Sequence, residues 1–284
     1  GPYKWGDFVE GSEYNLLRFD GYREPKKLEK IVVRIIPDSN VQKIELETGG
    51  IDLACGLQHG DVAKFANDAN DGFAVMPSNT IAMLKLVHVF PDGQGPLADV
   101  RVREAINYAL NLDAINKVVF SGLGSPAKAV YPSGIKAYTP ANNLRSYDVN
   151  KAKALLAEAG FQNGLTIDFY TQNTTMYQLL TDVVVGMLAD TGIKLNVIAS
   201  DFGTQTGYML SKKNPGIYAF RQYANGDPYI LVDHFFSDDS QYSQNMGHRA
   251  DEKFSDVQAL RKEAFGIIDQ DKRNEVYHKL MQII

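Results

Sequence analysis

Cysteine is nearly absent: Cys55 stands alone in 284 residues, so no internal disulfide can form. Its neighbours Leu53, Ala54 and Leu57 suit a buried thiol, and Cys55 is expected in the core rather than as a metal ligand. No run of 18 apolar residues occurs, so nothing here is long enough to cross a bilayer as a helix. Charge of one sign is also missing. Lys and Arg number 29 against 34 Asp and Glu, leaving a formal charge of -5 without long blocks of either sign. That removes the basic footprint with which nucleic-acid binders neutralise phosphates. Internal repeats and low-complexity stretches are lacking too. What is present is 44% hydrophobic residues, an ample core for one large α/β body or two ordinary domains.

Signatures of catalysis and metal binding are equally scarce. His59, His88, His234, His248 and His278 show no helical i, i+4 pairing, and none joins Cys55, so neither a metal site nor a cofactor is expected. His59, His248 and His278 are expected at the surface, and Asp233-His234 as a structural pair. Gly122-Leu123-Gly124-Ser125 lacks the lysine and the strand-to-helix setting of a phosphate loop, and reads as a plain loop. Asp201-Phe202-Gly203 stands without any other kinase element. Asp238-Asp239 lacks the spaced oxygen ligands of a calcium loop. No Gly-x-Ser-x-Gly elbow occurs.

The pattern of elements is more informative. Tyr14–Phe19 and Lys30–Ile36 read as strands, the second β-branched and closed by Pro37. Ser39–Thr48 has helical spacing, with Val41, Ile44 and Leu46 expected inward, stopped by Gly49-Gly50 before a strand at Ile51–Ala54. Asp61–Phe65 suggests a short helix, and 73–89 a strand-rich region broken at Pro77-Ser78-Asn79. Asp99 reads as an N-cap, followed by Val102, Ala105, Ile106, Ala109 and Leu110 on one helical face. A helix from Asp113 to Phe120 precedes a long loop at 121–143. Then comes regular alternation: helix Asp148–Ala159 ended by Gly160, strand Leu165–Tyr170, helix Met176–Ala189. Strand Ile193–Ala199, with Ile193, Leu195 and Val197 inward, leads to helix Phe202–Ser211 and strand Gly216–Gln222. This alternation predicts an α/β domain with a largely parallel sheet and right-handed crossovers. Two helices, Glu252–Asp269 and Lys272–Ile284, close the chain.

Ligand chemistry concentrates at the end of the last strand, because ligand crevices in open α/β sheets border the carboxyl ends of strands. Arg221 can clamp an acidic or hydroxyl-bearing group with its fork of donors. Tyr223 and Tyr229 can stack or donate, and Tyr218, Ala224, Asn225 and Asp227 flank them. Asn79 joins them as a binding candidate. An equally open reading makes Arg221 a surface ion-pair residue and Asp227-Pro228 a simple turn.

Four ordered segments carry a family likeness: Gly1-Pro2-Tyr3-Lys4-Trp5 with Leu16-Leu17-Arg18-Phe19; Ile35-Ile36-Pro37-Asp38 with Leu46-Glu47-Thr48-Gly49-Gly50-Ile51-Asp52-Leu53; Leu97 to Ala109; and Tyr147 to Phe161. Over nearly its whole length the chain resembles the family 5 extracellular solute-binding proteins, the dipeptide-, oligopeptide- and nickel-binding group. The resemblance implies an α/β, periplasmic binding protein type II-like two-lobed clamp with an incomplete first lobe. Residues 1–85 would be part of the first lobe and residues 86–284 the second. It further implies a non-enzymatic, monomeric carrier. Such a carrier holds a small-molecule solute in the cleft and delivers it to an ABC transporter membrane permease. The location implied is periplasmic or that of a cell-surface lipoprotein. Because the chain starts without methionine and stops within a helical pattern, it is expected to be a fragment, with its targeting segment outside it.

The resemblance also bears on the solute. Peptide binders of the family carry an aspartate for the peptide amino terminus in a W-x-x-D-x-x-D/E-P segment. Anchored on Asp227-Pro228, that position falls on Ala224, the tryptophan position on Arg221, and an upstream arginine position on Tyr218. A peptide ammonium would then be buried unpaired, at a cost of several kcal/mol. A sugar, an opine-like compound or another small organic solute is therefore expected rather than an ordinary free peptide. Alternatives are a dipeptide- or oligopeptide-binding protein, a hydrolase using Asp227 and Asp233, and a surface interaction protein without a small ligand.

Overall fold

A computed structural model of the chain describes residues 1–24, 26–67, 73–75, 81–129, 134–135, 137–138, 140, 145–224, 227–247, 249 and 253–283. For residues 67, 81–85, 87, 223 and 224 this covers the backbone alone. The chain divides into two compact units, residues 1–75 and 76–284.

The larger unit is built on four strands: β4 (Ile81–Val89), β5 (Leu165–Gln172), β6 (Ile193–Ser200) and β7 (Gly216–Ala224), in the order β4-β7-β5-β6. β5 runs parallel to β6 from Leu165↔Ile193 to Gln172↔Ser200, and parallel to β7 at Phe169↔Ile217 and Tyr170↔Tyr218. β4 lies antiparallel on β7. The alternation in the sequence thus becomes a largely parallel sheet with one antiparallel edge.

Neighbouring residues on a strand face opposite ways, so each strand feeds two cores. Ile167, Phe169, Ile193, Leu195, Ile217 and Ala219 pack with helices α3 (Val100–Ala109), α4 (Leu112–Val119), α5 (Val149–Glu158) and α6 (Thr175–Ala189). Val89, Tyr170, Tyr218 and Phe220 meet a second layer. It comprises α7 (Phe202–Leu210), α8 (Pro228–Phe236), α9 (Gln241–Asn245), α10 (Phe254–Gly266) and α11 (Gln270–Met281). The crossover through α6 carries the chain from β5 outward to β6. The crossover through α7 carries it back past β5 to β7. Because the two helices lie on opposite faces, both crossovers share one hand. The boundary between β5 and β7 is therefore a topological switch point.

Local chemistry explains the helix ends. Asp99 accepts from Arg101 N at 2.8 Å and opens α3, whose Val102, Ala105, Ile106 and Ala109 are buried as the spacing predicts. Asp148 accepts from Lys151 N at 2.9 Å to open α5. Gly160, at φ +89, turns the chain out of α5 through a conformation that a side chain would strain.

The smaller unit is a meander of β1 (Tyr3–Val9), β2 (Glu13–Arg18) and β3 (Lys30–Arg34), antiparallel throughout, with helices α1 (Ser39–Glu47) and α2 (His59–Asn67). Asp38 caps α1, accepting from Asn40 N at 2.8 Å and Val41 N at 3.0 Å. Among its described residues only Asn15 and Phe65 are buried.

Several expectations need correction. Cys55 is exposed, because the segment around it forms no strand and joins no core. Ile51–Ala54 is likewise not a strand. α1 buries none of its residues, and Val41 and Ile44 face water. On the edge strand β6, Ile193 and Leu195 turn inward but Val197, further along the strand, is exposed. His278 is half-buried, with Nε2 enclosed. His59 is half-buried as well, and His248 lies outside the described residues. β1, α8 and α9 form where no element was expected. Asp227-Pro228 is a helix start rather than a turn, with Asp227 as N-cap and Pro228 at the first helical position.

Candidate functional site

The parallel strands end on one edge, and each leads toward a helix start. β6 runs through Asp201 into α7. Asp201 accepts from the Thr204 hydroxyl at 2.6 Å and from Thr204 N at 3.0 Å, which holds its carboxyl below the usual range. Beyond β7, Asp227 caps α8 by accepting from Tyr229 N at 2.9 Å, and pairs with Arg273 Nη2 at 3.0 Å. The start of α6, after β5, differs. Thr174 makes no side-chain capping bond there, so the first N–H groups of this 15-residue helix lack the carboxylate cap that Asp201 and Asp227 give α7 and α8.

Arg221 is exposed on β7, on the α6 side of the sheet. Tyr177, in the first turn of α6, is only 4% exposed, and its hydroxyl has no hydrogen-bond partner among the described residues. Burial pushes the Tyr177 phenol up, and the nearby Arg221 charge partly offsets that. Arg221 brings a guanidinium, and the α6 start the positive end of a helix dipole, to this corner of the edge.

The other face of the edge holds different chemistry. Tyr218 is fully buried, stacks on Tyr170 at 4.3 Å and donates to Asn214 O at 2.9 Å. Burial, then the nearby Tyr170, drives its phenol well above the usual range. Tyr229 packs against Phe265 at 5.3 Å, and burial followed by the Asp233 charge raises its phenol. Arg261 joins Asp233 at 2.7 Å and Asp238 at 2.8 Å. Asp201, Asp227, Asp233 and Asp238 are therefore each engaged by a helix start, an arginine or both.

The sequence candidates consequently divide. Arg221 lies on the α6 face; Tyr218, Asp227 and Tyr229 belong with the α7–α11 layer. Tyr223 and Ala224 pair through their backbones with Ala82 and Ile81. Asn79 and Asn225 lie outside the described residues. Sequence reading missed three residues at this edge: Tyr177, Gln172 and Gln205. Tyr177 was hidden within an apolar helix face. Gln205 is 1% exposed on α7, its Nε2 donating to Tyr170 O at 3.0 Å and Ala219 O at 2.9 Å. Nothing in the residue order signals that a mid-helix glutamine reaches between two strands. Among the described residues no group of three His, Cys, Asp or Glu is placed to hold a metal ion. Nor is any helix among them long and apolar enough to cross a membrane.

Comparison with known proteins places this architecture. The chain is 27% identical over 293 residues to heme-binding protein A of Haemophilus influenzae, covering 100% of the chain and 52% of that protein. It is 26% identical over 295 residues to the dipeptide-binding protein of Escherichia coli (strain K12), covering 100% of the chain and 53% of that protein. It therefore spans about half the length of the curated relatives it matches. The structure of an ABC transporter-associated periplasmic binding protein from Helicobacter pylori, in complex with peptide STSA, superposes with a TM-score of 0.76. That match has 25% identity and covers 100% of the chain and 55% of the other. The α/β periplasmic-binding-protein fold expected from the sequence is thus observed, the chain matching part of it. The family model of bacterial extracellular solute-binding proteins, family 5, matches residues 1–243, and the chain belongs to that family.

Proposed function

We propose that the protein is the solute-capturing component of an ABC importer, and that its solute is a small organic compound rather than an ordinary zwitterionic peptide. In this reading residues 1–85 contribute to the first lobe and residues 86–284 to the second. The carboxyl edge of β5 and β7 forms one wall of the cleft, and a membrane permease receives the solute outside the cytoplasm. Arg221 and the uncapped α6 start favour a carboxylate or another acceptor-rich group on the solute. Tyr223, Ala224, Asn225, Tyr229 and Asn79 are candidate contacts around it.

The observation that carries the ligand reading is the engagement of the acids. Ala224 brings no carboxylate to the strand end, and Asp227, the nearest described acid along the chain, is already tied to Arg273 and to the α8 start. A peptide ammonium would find no unengaged carboxylate among Asp201, Asp227, Asp233 and Asp238. Sugars, and acids whose nitrogen is held in an amide or lactam, make no such demand. The hydrolase alternative loses support for the same reason, since Asp227 and Asp233 are each ion-paired to a different arginine. The peptide alternative draws its support from the names of the relatives.

Titration calorimetry on the protein in its encoded length, with di- and tripeptides, tests the reading. Binding weaker than about 0.1 mM, a free energy near -5.5 kcal/mol, is expected. Submicromolar peptide binding contradicts it.

A further inference from the structure

Resting on the reading of this edge as a wall of the solute site, we propose that Gln172 is a ligand contact that selects a hydrogen-bond donor, and that Gln205 is the residue that positions it. Parallel pairing between β5 and β7 stops at Tyr170↔Tyr218, while β5 continues to Gln172 and β7 to Ala224. Where the strands part, the buried Gln205 amide spans the gap, donating to Tyr170 O at 3.0 Å and Ala219 O at 2.9 Å. Both of those partners can only accept, so their identity fixes which end of the Gln205 amide is nitrogen. Its Oε1 must then point toward the strand end, where Gln172 Nε2 lies at 3.0 Å.

The logic passes one residue further. Gln205 Oε1 can only accept, so Gln172 must turn its NH2 group to it. The orientation of Gln172 is thereby fixed as well. Its own Oε1, on the last residue of β5, is left as an acceptor at the open end of the switch point. No donor among the described residues is bonded to that oxygen, and the side chain is half-buried. A half-buried amide oxygen held in place selects a hydroxyl or amide N–H on the solute, because an uncharged carbonyl compensates a desolvated ammonium poorly. The solute class is thus one bearing hydroxyl or amide donors beside its acidic or acceptor-rich group.

Two experiments test this. The first is a crystal structure of Gln205→Met. The Gln172 amide is expected to lose its single orientation, and an unchanged Gln172 overturns the positioning role. The second is a calorimetric double-mutant cycle on the protein in its encoded length, with agropinic acid, a hydroxyl-bearing acid whose nitrogen is held in a lactam, as the probe. Gln172→Met and Gln205→Met should each weaken binding about tenfold. The double variant should bind no more weakly than Gln172→Met alone, because Gln205 acts through Gln172. Additive losses overturn the positioning role, and full affinity in Gln172→Met overturns the contact. Should Gln205→Met not fold, Gln205→Asn, which withdraws the amide by one methylene, takes its place in both experiments. Failure of the unsubstituted protein to bind the probe counts against the solute class alone, because the crystal structures still decide the positioning.

Discussion

Residues 76–284 place Phe169, Tyr218, Leu231 and Leu280 out of water on the two faces of one sheet, whereas residues 1–75 leave Trp5, Phe8, Val41, Ile44 and Leu53 exposed. The secondary structure of both units is regular, with capped helices and registered strands. They differ in what lies opposite each apolar face. Each fully buried Leu or Phe contributes about 2 kcal/mol, and the larger unit holds many such side chains. Phe65 is the one buried apolar side chain among the described residues of the smaller unit. An amphipathic pattern therefore states which side chains favour burial, and packing decides whether they reach it.

The largest effect should appear when the units are separated. Expressed alone, residues 76–284 are expected to unfold in one cooperative transition by near-UV circular dichroism and urea titration. Residues 1–75 alone should show no such transition, and a sharp one there would break the comparison. Within the intact chain, Leu231→Ala should cost about 3 kcal/mol in urea unfolding, since Leu231 is fully buried. Ile44→Ala, at 57% exposure, should stay within about 0.5 kcal/mol. Equal losses at the two sites would erase the distinction.

A smaller effect depends on pH. His88, in the larger unit, is pushed down to about 4, chiefly by burial and then by the Arg103 charge. In the unfolded chain a histidine titrates near 6.5, so between these values the unfolded state binds the extra proton. The larger unit should lose roughly 3 kcal/mol as pH falls from about 6.5 through about 4, with no matching loss on the alkaline side. His88→Gln should flatten that slope in urea titrations at successive pH values, and an unaltered slope would assign the acid sensitivity to other groups.

The fold of the larger unit was largely legible because its signals were local. Asp99 and Asp148 announce helices that the Val102–Ala109 and Ala152–Leu156 spacings continue, and Gly160 marks a stop. Two kinds of feature were not legible. Val41, Ile44 and Cys55 sit in apolar neighbourhoods of the sequence, but their burial depends on a partner that spacing does not describe. Asp227-Pro228 opens α8 by the same cap chemistry as the other helices, yet four consecutive turn-forming residues, Asn225 to Pro228, read equally well as a loop.

The site was legible in place but not in composition. The carboxyl end of β7 was identifiable from strand order, and Arg221 stands there. Tyr177 and the Gln172–Gln205 relay come from α6, α7 and β5, and only the sheet order β4-β7-β5-β6 brings them to the same edge. Tyr218 shows the converse. It lies three residues before Arg221 in the strand, and the alternation of side chains sends it to the opposite face and into the core.

The most direct test is native mass spectrometry of the protein in its encoded length, purified gently and then denatured to release what it carries. The expected result is a small solute with an acidic or acceptor-rich group and hydroxyl or amide donors, released intact without turnover. Recovery of a dipeptide with a free α-ammonium, or of a hydrolysed product, would contradict the proposed function.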